Sequence, residues 1–392
     1  MAGMSRRIKP LSQTLAWKKH LRTVAALLLS AAFLLPTMVS ERSKEPSHQP
    51  TSVDRELRPF PKLPSPKLSI SRTSPTSAWC DFVSYTLSHM TPEMFLDRHH
   101  ASSETDKLVL LIDDRYHLGH FWTIPWTLNL LGPDWGLQIL TKETSAHFYR
   151  KILDHYAITN AKVDTFEERY GYGPWVQEDF MRRVQFMLAA QFWKGIRAEH
   201  ILVIQDNGIP IRRWASPEVQ TLFKEIFKYG YAGAPWNLQE DNRPGGNGGF
   251  SYRKRSVLSN AAIDLGVEYP ELLSNSTNLG LLGADNEDAV LGNILHPIDF
   301  GVAPKHLEHQ FACETLPHEK PFGVHHFAPR HGLEHTTQII KLAMSEFFNV
   351  DDWSLVLDLD SALGSRFEWQ KPWYKLQKLF PDSILPGECV AH

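Results

Sequence analysis

Polar side chains follow an apolar run near the middle of the chain. Residues 201–204 are Ile-Leu-Val-Ile, and Gln205, Asp206 and Asn207 come directly after them. Four apolar residues that stop at turn-forming residues are typical of a buried strand that ends in a loop. Because ligands of open α/β sheets bind beyond the carboxyl ends of the strands, Asp206 is a candidate ligand-binding residue. An ordinary Asp-Asn-Gly turn is the alternative interpretation.

A second candidate segment is rich in glycine. Residues 245–249 are Gly-Gly-Asn-Gly-Gly, and Asn247, Ser251 and Arg253 occupy alternating positions from which they could donate to a phosphate or a sugar. Glycines let a backbone pass close to a ligand. The segment lacks the Gly-Lys-Ser/Thr of a P-loop and does not match the dinucleotide fingerprint. A flexible surface loop is the alternative.

Two further segments carry ionisable side chains. Glu287 and Asp288 precede the apolar residues 289–295, as acids in the first turn of a helix do. Such a carboxylate caps the helix, or it serves as a general base that the helix dipole keeps ionised. His325 and His326 are adjacent, so on a strand they point to opposite faces and at most one readily enters a given site. A lone histidine is usually structural, but with a carboxylate it could complete a divalent-metal site.

The elements that would position these segments alternate along the chain. Residues 107–112 and 135–140 have the composition of strands, and residues 121–131 between them are helix-like. Strand, helix and strand in this order predict a parallel sheet. Residues 177–194 carry apolar side chains on one helical face and predict a long helix. We therefore expect one α/β domain over residues 78–392, with a mixed, mainly parallel sheet flanked by helices.

Composition excludes some classes of protein. The 392 residues are 42% hydrophobic and 11% aromatic, which supports a sizeable core and excludes a wholly disordered chain. A net charge of −3 gives no basic footprint, so nucleic acid is not an expected partner. The three cysteines, Cys80, Cys313 and Cys389, form no disulfide framework. One pair could form in an oxidising compartment, and the sequence does not decide which.

The first residues have the pattern of a membrane anchor. Residues 1–22 carry six Lys or Arg and no acid, and residues 23–39 carry no charge. This predicts a cytosolic basic tail and a transmembrane signal-anchor, with a cleaved signal peptide as the alternative. Residues 40–77 are rich in proline and serine and predict a solvated, disordered stem.

Five motifs carry a family resemblance. They are ILVIQDN, YAGAPWN, GGNGGFSYR, NEDAVLG and PFGVHHF, in that order between residues 107 and 327. This part of the chain resembles the family called domain of unknown function 5672, which is related in motif order to GT-A glycosyltransferases. NEDAVLG is also similar to the xED stretch of inverting β-1,3-galactosyltransferases, and GGFSYR is similar to the acceptor-side strand of β-1,4-galactosyltransferases.

The resemblance implies a fold and an activity. The fold would be GT-A-like, with a Rossmann-type sheet in a single catalytic domain. The activity would be that of a hexosyltransferase that moves a sugar from a nucleotide-sugar to a glycan or another hydroxyl acceptor, with inversion. Asp288 would be the general base, and Glu287 would assist it. Asp206, His325 and His326 would hold Mn²⁺ or Mg²⁺.

Further residues are assigned to the donor and the acceptor. The resemblance implies that the donor contacts Asp113, Asp114, Arg115, Gln205, Asp206 and Asn207. Asn207 departs from the family, which has an acid there, and an amide is a poorer ligand for a hard cation. Trp236 could stack on a sugar face or belong to the core. The candidate acceptor- or sugar-binding residues are Trp236, Asn247, Gly248, Gly249, Ser251 and Arg253.

The layout of anchor, stem and globular body predicts a location. It is common among enzymes held at the lumenal face of the Golgi membrane, and the endoplasmic reticulum or secretion after cleavage are the alternatives. The departure at Asn207 leaves two rival functions open. One is a catalytically degenerate protein that binds a nucleotide-sugar or glycan, and the other is a membrane-tethered scaffold of the same fold.

Overall fold

The computed structural model describes most of the chain after residue 104. The described residues are 105–326, apart from 116, 167–185, 237–243 and 267–286, together with 330–348 and with residues 79, 80, 82, 83, 86, 87 and 90. The predicted tail, anchor and stem at residues 1–77 lie outside them. None of the described helices is both long and apolar enough to cross a membrane.

The described strands form two sheets. The strands of the larger sheet are β1 (Lys107–Ile112), β2 (Gly136–Thr141), β3 (Ala161–Thr165), β4 (His200–Ile204), β6 (Tyr231–Ala234) and β7 (Asn247–Lys254). Those of the smaller sheet are β5 (Gly208–Pro210), β8 (Ala312–Cys313) and β9 (Gly323–His325).

Helices with defined bounds connect or cover these strands. They are α1 (His120–Leu131), α2 (Glu143–His155), α3 (Ala190–Gly195), α4 (Pro217–Ile226), α5 (Arg255–Asp264), α6 (Glu287–Leu295), α7 (Lys305–Phe311) and α8 (Leu333–Phe348).

The larger sheet is mixed and mainly parallel. Its strand order is β3-β2-β1-β4-β7-β6. The first four strands pair in parallel, and β7 runs antiparallel to both β4 and β6. The predicted parallel unit is present, since β1, α1 and β2 occupy the expected residues. This confirms the prediction of an α/β fold with a mainly parallel sheet flanked by helices.

Both faces of the central strands are covered. Val109 and Leu111 of β1 belong to one apolar cluster, whereas Leu108 and Leu110 belong to a second cluster on the opposite face. Alternate residues of β4 divide between the two clusters in the same way. Central strands buried on both faces are continuous apolar runs, which is why these two strands were recognisable from sequence.

One helix prediction was wrong in its extent. We expected a continuous helix over residues 177–194, of which the structure describes the part from 186 onward. Ala189 has extended backbone angles, φ −82° and ψ 141°, and α3 begins only at Ala190. The apolar periodicity continues through this break, so the pattern alone did not reveal it.

The smaller sheet joins two of the sequence motifs. A bridge between Gln205 and Gly208 closes a tight turn after β4. The following strand, β5, pairs antiparallel with β9, which places Gly208 opposite His325. The histidine motif therefore lies beside the polar end of β4, although more than 100 residues separate them.

Glu308 of α7 is a fully buried carboxylate. Its Oε2 lies 3.3 Å from the Lys305 ammonium. Burial is the largest effect and raises the pKa of Glu308 from 4.5 to about 7. The folded protein thus binds this proton more tightly than the unfolded chain, so the contribution of Glu308 to stability falls as the pH rises from about 4.5 to about 7.

We expect Glu308→Gln to remove this pH dependence. The free energy of unfolding at pH 8 should rise by up to about 3 kcal/mol, because the buried charge is no longer formed there. Urea unfolding at pH 5 and pH 8 measures the change. Glu225→Gln is the matched control, since that side chain is 51% exposed. If the free energy of unfolding changes equally between pH 5 and pH 8 in wild type and in Glu308→Gln, Glu308 is not the source of the pH dependence.

Candidate functional site

A cleft opens where β1 and β4 end. Adjacent parallel strands bring their carboxyl ends to one edge of a sheet, and ligands bind at that edge. Four other segments complete the walls. The lining residues are Leu111, Ile112, Asp113, Asp114, Arg115, Phe166, Phe186, Met187, Val203, Ile204, Gln205, Asp206, Arg253 and Glu287.

Asp113 is a buried carboxylate surrounded by donors. Arg115 donates to its Oδ1 from the backbone nitrogen and from Nε, each at 3.0 Å. Nε2 of His120 lies 3.0 Å from Oδ2. Burial alone would raise the pKa of Asp113, but these hydrogen bonds and charges hold it far below its usual value. Asp113 is therefore ionised and orients Arg115 at the edge of the cleft.

Asp114 differs from its neighbour in its surroundings. Its backbone oxygen accepts a hydrogen bond from Ser145 Oγ at 2.7 Å, which fixes the residue after β1. Its side chain is buried and lines the cleft. The Oδ2 atom has no hydrogen-bond partner among the described residues.

Asp206, at the end of β4, is held by His117, which was not among the predicted site residues. Nε2 of His117 lies 3.2 Å from Asp206 Oδ2. The Gly119 N–H donates to Nδ1 of the same ring at 3.2 Å, so a neutral His117 carries its proton on Nε2 and donates it to Asp206. Burial lowers the pKa of His117, which favours this neutral ring. His117 and His120 follow the polar end of β1 three residues apart, which was the only sequence signal for them.

Arg253, on β7, is fully buried and reaches the cleft from the opposite side. Its Nε donates to Ser251 Oγ at 3.0 Å. Its Nη2 donates to the Gly248 carbonyl at 3.2 Å and to Glu287 Oε1 at 3.0 Å. The Nη1 atom has no hydrogen-bond partner among the described residues.

Two aromatic rings enclose the same guanidinium. Its central carbon lies 5.8 Å from the centre of the Trp193 ring and 5.6 Å from that of Tyr231. Rings at this distance attract a cation through their π faces. The positive charge of Arg253 is thus fixed in a site from which water is excluded.

The two acids of α6 lie in different surroundings. Glu287, with 18% of its side chain exposed, lines the cleft beside Arg253. Asp288 is not one of the lining residues. Its Oδ2 accepts from the Gly248 N–H at 2.9 Å, and its Oδ1 accepts from the Ala289 N–H at 2.7 Å.

The pKa of Asp288 is set by opposing effects. Burial, and after it the charge of Glu287, raise the pKa of Asp288. Hydrogen bonds from Gly248 and Ala289 act in the opposite direction but do not outweigh them. Asp288 thus anchors the glycine-rich segment, and Glu287 is the carboxylate that faces the cleft.

The residues expected to hold a metal ion have separate partners. Asp206 pairs with His117, and Nδ2 of Asn207 lies 3.2 Å from Nδ1 of His326. The ring of His325 faces instead the buried Glu314, whose Oε2 is 3.6 Å from its Nδ1.

These separate pairs do not bring the predicted metal ligands together. Within the part of the chain that the structure describes, no three His, Cys, Asp or Glu side chains come close enough to hold a metal ion. His326 has a positive φ of 43°, and it follows the last residue of β9. The predicted ligands Asp206, His325 and His326 are therefore not grouped around one point among the described residues. The use of Mn²⁺ or Mg²⁺ as a cofactor stays a prediction.

The other candidate acceptor residues lie beside the cleft rather than in its lining. Oδ1 of Asn247 accepts from the Gly249 N–H at 2.8 Å. Oγ of Ser251 donates to the Gly248 carbonyl at 2.9 Å. Trp236 is half-buried just after β6. These hydrogen bonds shape the glycine-rich segment, and of the acceptor candidates only Arg253 reaches the lining.

Gly248 provides a test of this arrangement. An added Cβ would lie 2.8 Å from Arg253 Nη2 and 2.9 Å from Glu287 Oε1. We expect Gly248→Ala to destabilise the protein by about 1–3 kcal/mol and to disturb the Arg253–Glu287 pair, as overpacking does. Gly332→Ala is the control, because its Cβ would meet nothing within 4 Å. Equal melting temperatures for the two variants would contradict the close packing.

The chain has distant structural neighbours. The glycosyltransferase GlyE of Streptococcus pneumoniae TIGR4 is 14% identical with a TM-score of 0.39, and the alignment covers 65% of this chain and 62% of that one. TarS of S. aureus is 10% identical with a TM-score of 0.34, covering 69% of this chain and 78% of that one.

A third neighbour was solved with its ligands. It is the mannosyltransferase PcManGT from Pyrobaculum calidifontis in complex with GDP-Man and Mn²⁺, at 8% identity and a TM-score of 0.29, covering 78% of this chain and 89% of that one. No curated protein sequence matches the chain. Residues 174–325 match the family described as Protein of unknown function (DUF5672), which confirms the resemblance that the five motifs indicate.

Proposed function

We propose that this protein is a membrane-anchored glycosyltransferase with a GT-A-like fold, which moves a sugar from a nucleotide-sugar to a glycan or other hydroxyl acceptor. The observation that carries the proposal is the convergence in one cleft of the ends of β1 and β4 with Arg253 and Glu287. These residues come from four separate segments, and three of the segments are motifs of the family resemblance.

The chemistry of the cleft matches the parts of a nucleotide-sugar. Phe166, Phe186 and Met187 provide an apolar wall for a base. Arg115, half of whose side chain is exposed, and the buried Arg253 provide positive charge for a diphosphate. The carboxylates at the strand ends accept hydrogen bonds from hydroxyl groups.

We assign the role of general base to Glu287. In an inverting displacement, one carboxylate suffices to take the proton of the acceptor hydroxyl as the oxygen attacks the anomeric carbon. Such assistance is worth about 10²- to 10⁴-fold in rate. Arg253, 3.0 Å from Glu287, orients this carboxylate and places a positive charge where the leaving diphosphate gains negative charge.

One observation favours a second candidate function. The Asn207 side chain is held against His326, and the predicted metal ligands are not assembled among the described residues. A degenerate relative that binds a nucleotide-sugar or glycan without turnover would have this arrangement.

Binding and turnover separate the two functions. The full-length chain in detergent is titrated with a panel of UDP- and GDP-sugars, with and without Mn²⁺, and nucleotide release is followed with candidate acceptors. Binding together with turnover that Glu287→Gln abolishes supports the enzyme. Binding without turnover supports the degenerate relative. Folded protein that binds no donor contradicts both and leaves the scaffold.

The cysteines support a lumenal location on the Golgi membrane, behind an anchor at residues 23–39. Cys80 is disulfide-bonded, whereas Cys313 is a free, buried thiol whose burial raises its pKa to about 12. Disulfides persist in oxidising compartments such as the secretory pathway.

Alkylation followed by mass spectrometry tests this assignment of the cysteines. We expect no modification of the native protein, one modified cysteine, Cys313, after denaturation, and all three after reduction. Cys389, the remaining cysteine of the sequence, is the expected partner of Cys80. Three modified cysteines without reduction would contradict the disulfide and with it the support for an oxidising compartment.

A further inference from the structure

Asp114 is the carboxylate of the cleft that the protein leaves available. Asp113 is occupied by Arg115 and His120, and Asp206 is occupied by His117. Asp114 is 5% exposed, lines the same cleft and has an Oδ2 atom without a hydrogen-bond partner among the described residues. Buried polar atoms are nearly always hydrogen-bonded, and a buried charge without donors is unfavourable. We therefore expect a ligand to supply the donors.

The surroundings of Asp114 fit a flat, apolar group that carries N–H donors at its edge. Ile112 precedes it on β1, and Phe166, Phe186 and Met187 line the same cleft. The rings of Phe166 and Phe186 lie 5.4 Å apart in an edge-to-face arrangement. Aromatic and aliphatic walls with one polar group are typical of sites for small aromatic ligands.

The nucleobases differ in the donors that they offer to a carboxylate. Guanine presents two neighbouring donors, N1–H and the N2 amino group, which match the two oxygens of a carboxylate. Uracil presents one N–H between two carbonyl oxygens, which a second carboxylate oxygen repels. Since an ionised carboxylate only accepts hydrogen bonds, guanine is the complementary base.

We propose that Asp114 binds the donor edge of guanine, so that the nucleotide of this cleft is a guanosine diphosphate and the donor a GDP-sugar. The proposal rests on the proposed function, in which the cleft binds a nucleotide-sugar. The two hydroxyl groups of a ribose also form a pair of neighbouring donors, and binding them would make Asp114 indifferent to the base.

Calorimetric titration of the full-length chain with four nucleoside diphosphates tests the proposal. Wild type should bind GDP about 10- to 100-fold more tightly than UDP, and more tightly than IDP, which lacks the N2 amino group. In Asp114→Asn the amide offers one acceptor and one donor, which match the N1–H and C2 carbonyl of xanthine. This variant should lose about 10- to 100-fold in affinity for GDP and gain affinity for XDP. Asp154→Asn, an exposed position on α2, is the matched control.

The outcomes distinguish failure of the inference from failure of the proposed function. Tighter binding of UDP than of GDP by wild type overturns the guanine assignment and leaves the nucleotide-sugar cleft in place. If Asp114→Asn loses affinity equally for all four nucleotides, the guanine assignment is also overturned, and the carboxylate is assigned to the ribose. Absence of any nucleotide binding by folded wild type contradicts the proposed function itself. If Asp114→Asn does not fold, the affinities of the wild-type protein for GDP, IDP and UDP still test the guanine assignment.

Discussion

Glu287→Gln is expected to lower kcat by about 10²- to 10⁴-fold and to leave nucleotide affinity little changed. The glutamine keeps an oxygen that can accept from Arg253, so the shape of the cleft is retained, but an amide cannot take the proton of an acceptor hydroxyl. The loss should therefore fall on turnover. Steady-state kinetics with the donor found in the binding panel, together with calorimetry of the same nucleotide, measures the two effects separately.

Asp288→Asn separates the two acids of α6. Both oxygens of Asp288 accept from backbone N–H groups, so the asparagine amide would face a donor at one of them. We expect this variant to lose about 1–3 kcal/mol of unfolding free energy and therefore to melt at a lower temperature. Any loss of activity should follow from displacement of the glycine-rich segment. Glu225→Gln, on the exposed face of α4, is the control for both measurements. If Asp288→Asn removes turnover without a change in stability, the general base is Asp288 and our assignment is wrong.

The parts of the fold that the sequence predicted are those with a strong local signal. β1 and β4 are apolar runs buried on both faces, and each ends in polar residues. The resemblance implied that Asp113, Asp114 and Asp206 contact the same donor, and the structure groups them around one cleft because β1 and β4 are neighbouring parallel strands.

The parts that escaped prediction depend on contacts between distant residues. His117 acquires its role only because β1 and β4 are adjacent, which brings Asp206 within 3.2 Å of its ring. Adjacent acids such as Glu287 and Asp288 look equivalent in sequence, and the start of α6 decides which one turns towards the cleft. The histidine motif illustrates the same limit, since His325 faces Glu314 and His326 faces Asn207.

Arg253→Met is expected to be the most destabilising of these substitutions, at about 3–5 kcal/mol. The guanidinium is fully buried and donates to Ser251, Gly248 and Glu287. Methionine fills a similar volume but removes the hydrogen bonds from Arg253 to Ser251, Gly248 and Glu287, and it leaves the Glu287 carboxylate without its counter-charge. Urea unfolding measures the change. Arg255→Met, whose side chain is 37% exposed and pairs with Glu199, should cost less than about 1 kcal/mol.

The double variant Arg253→Met with Glu287→Gln shows how much of that cost belongs to the pair. If the buried charge of Arg253 and the carboxylate of Glu287 stabilise one another, removing both should cost less than the sum of the two single changes, by about 1–3 kcal/mol. Additive single effects would show that Arg253 is held by Gly248, Ser251 and the surrounding rings alone. In that case Glu287 would not depend on Arg253 for its orientation, and the coupling of charge and base on which the proposed mechanism rests would be absent.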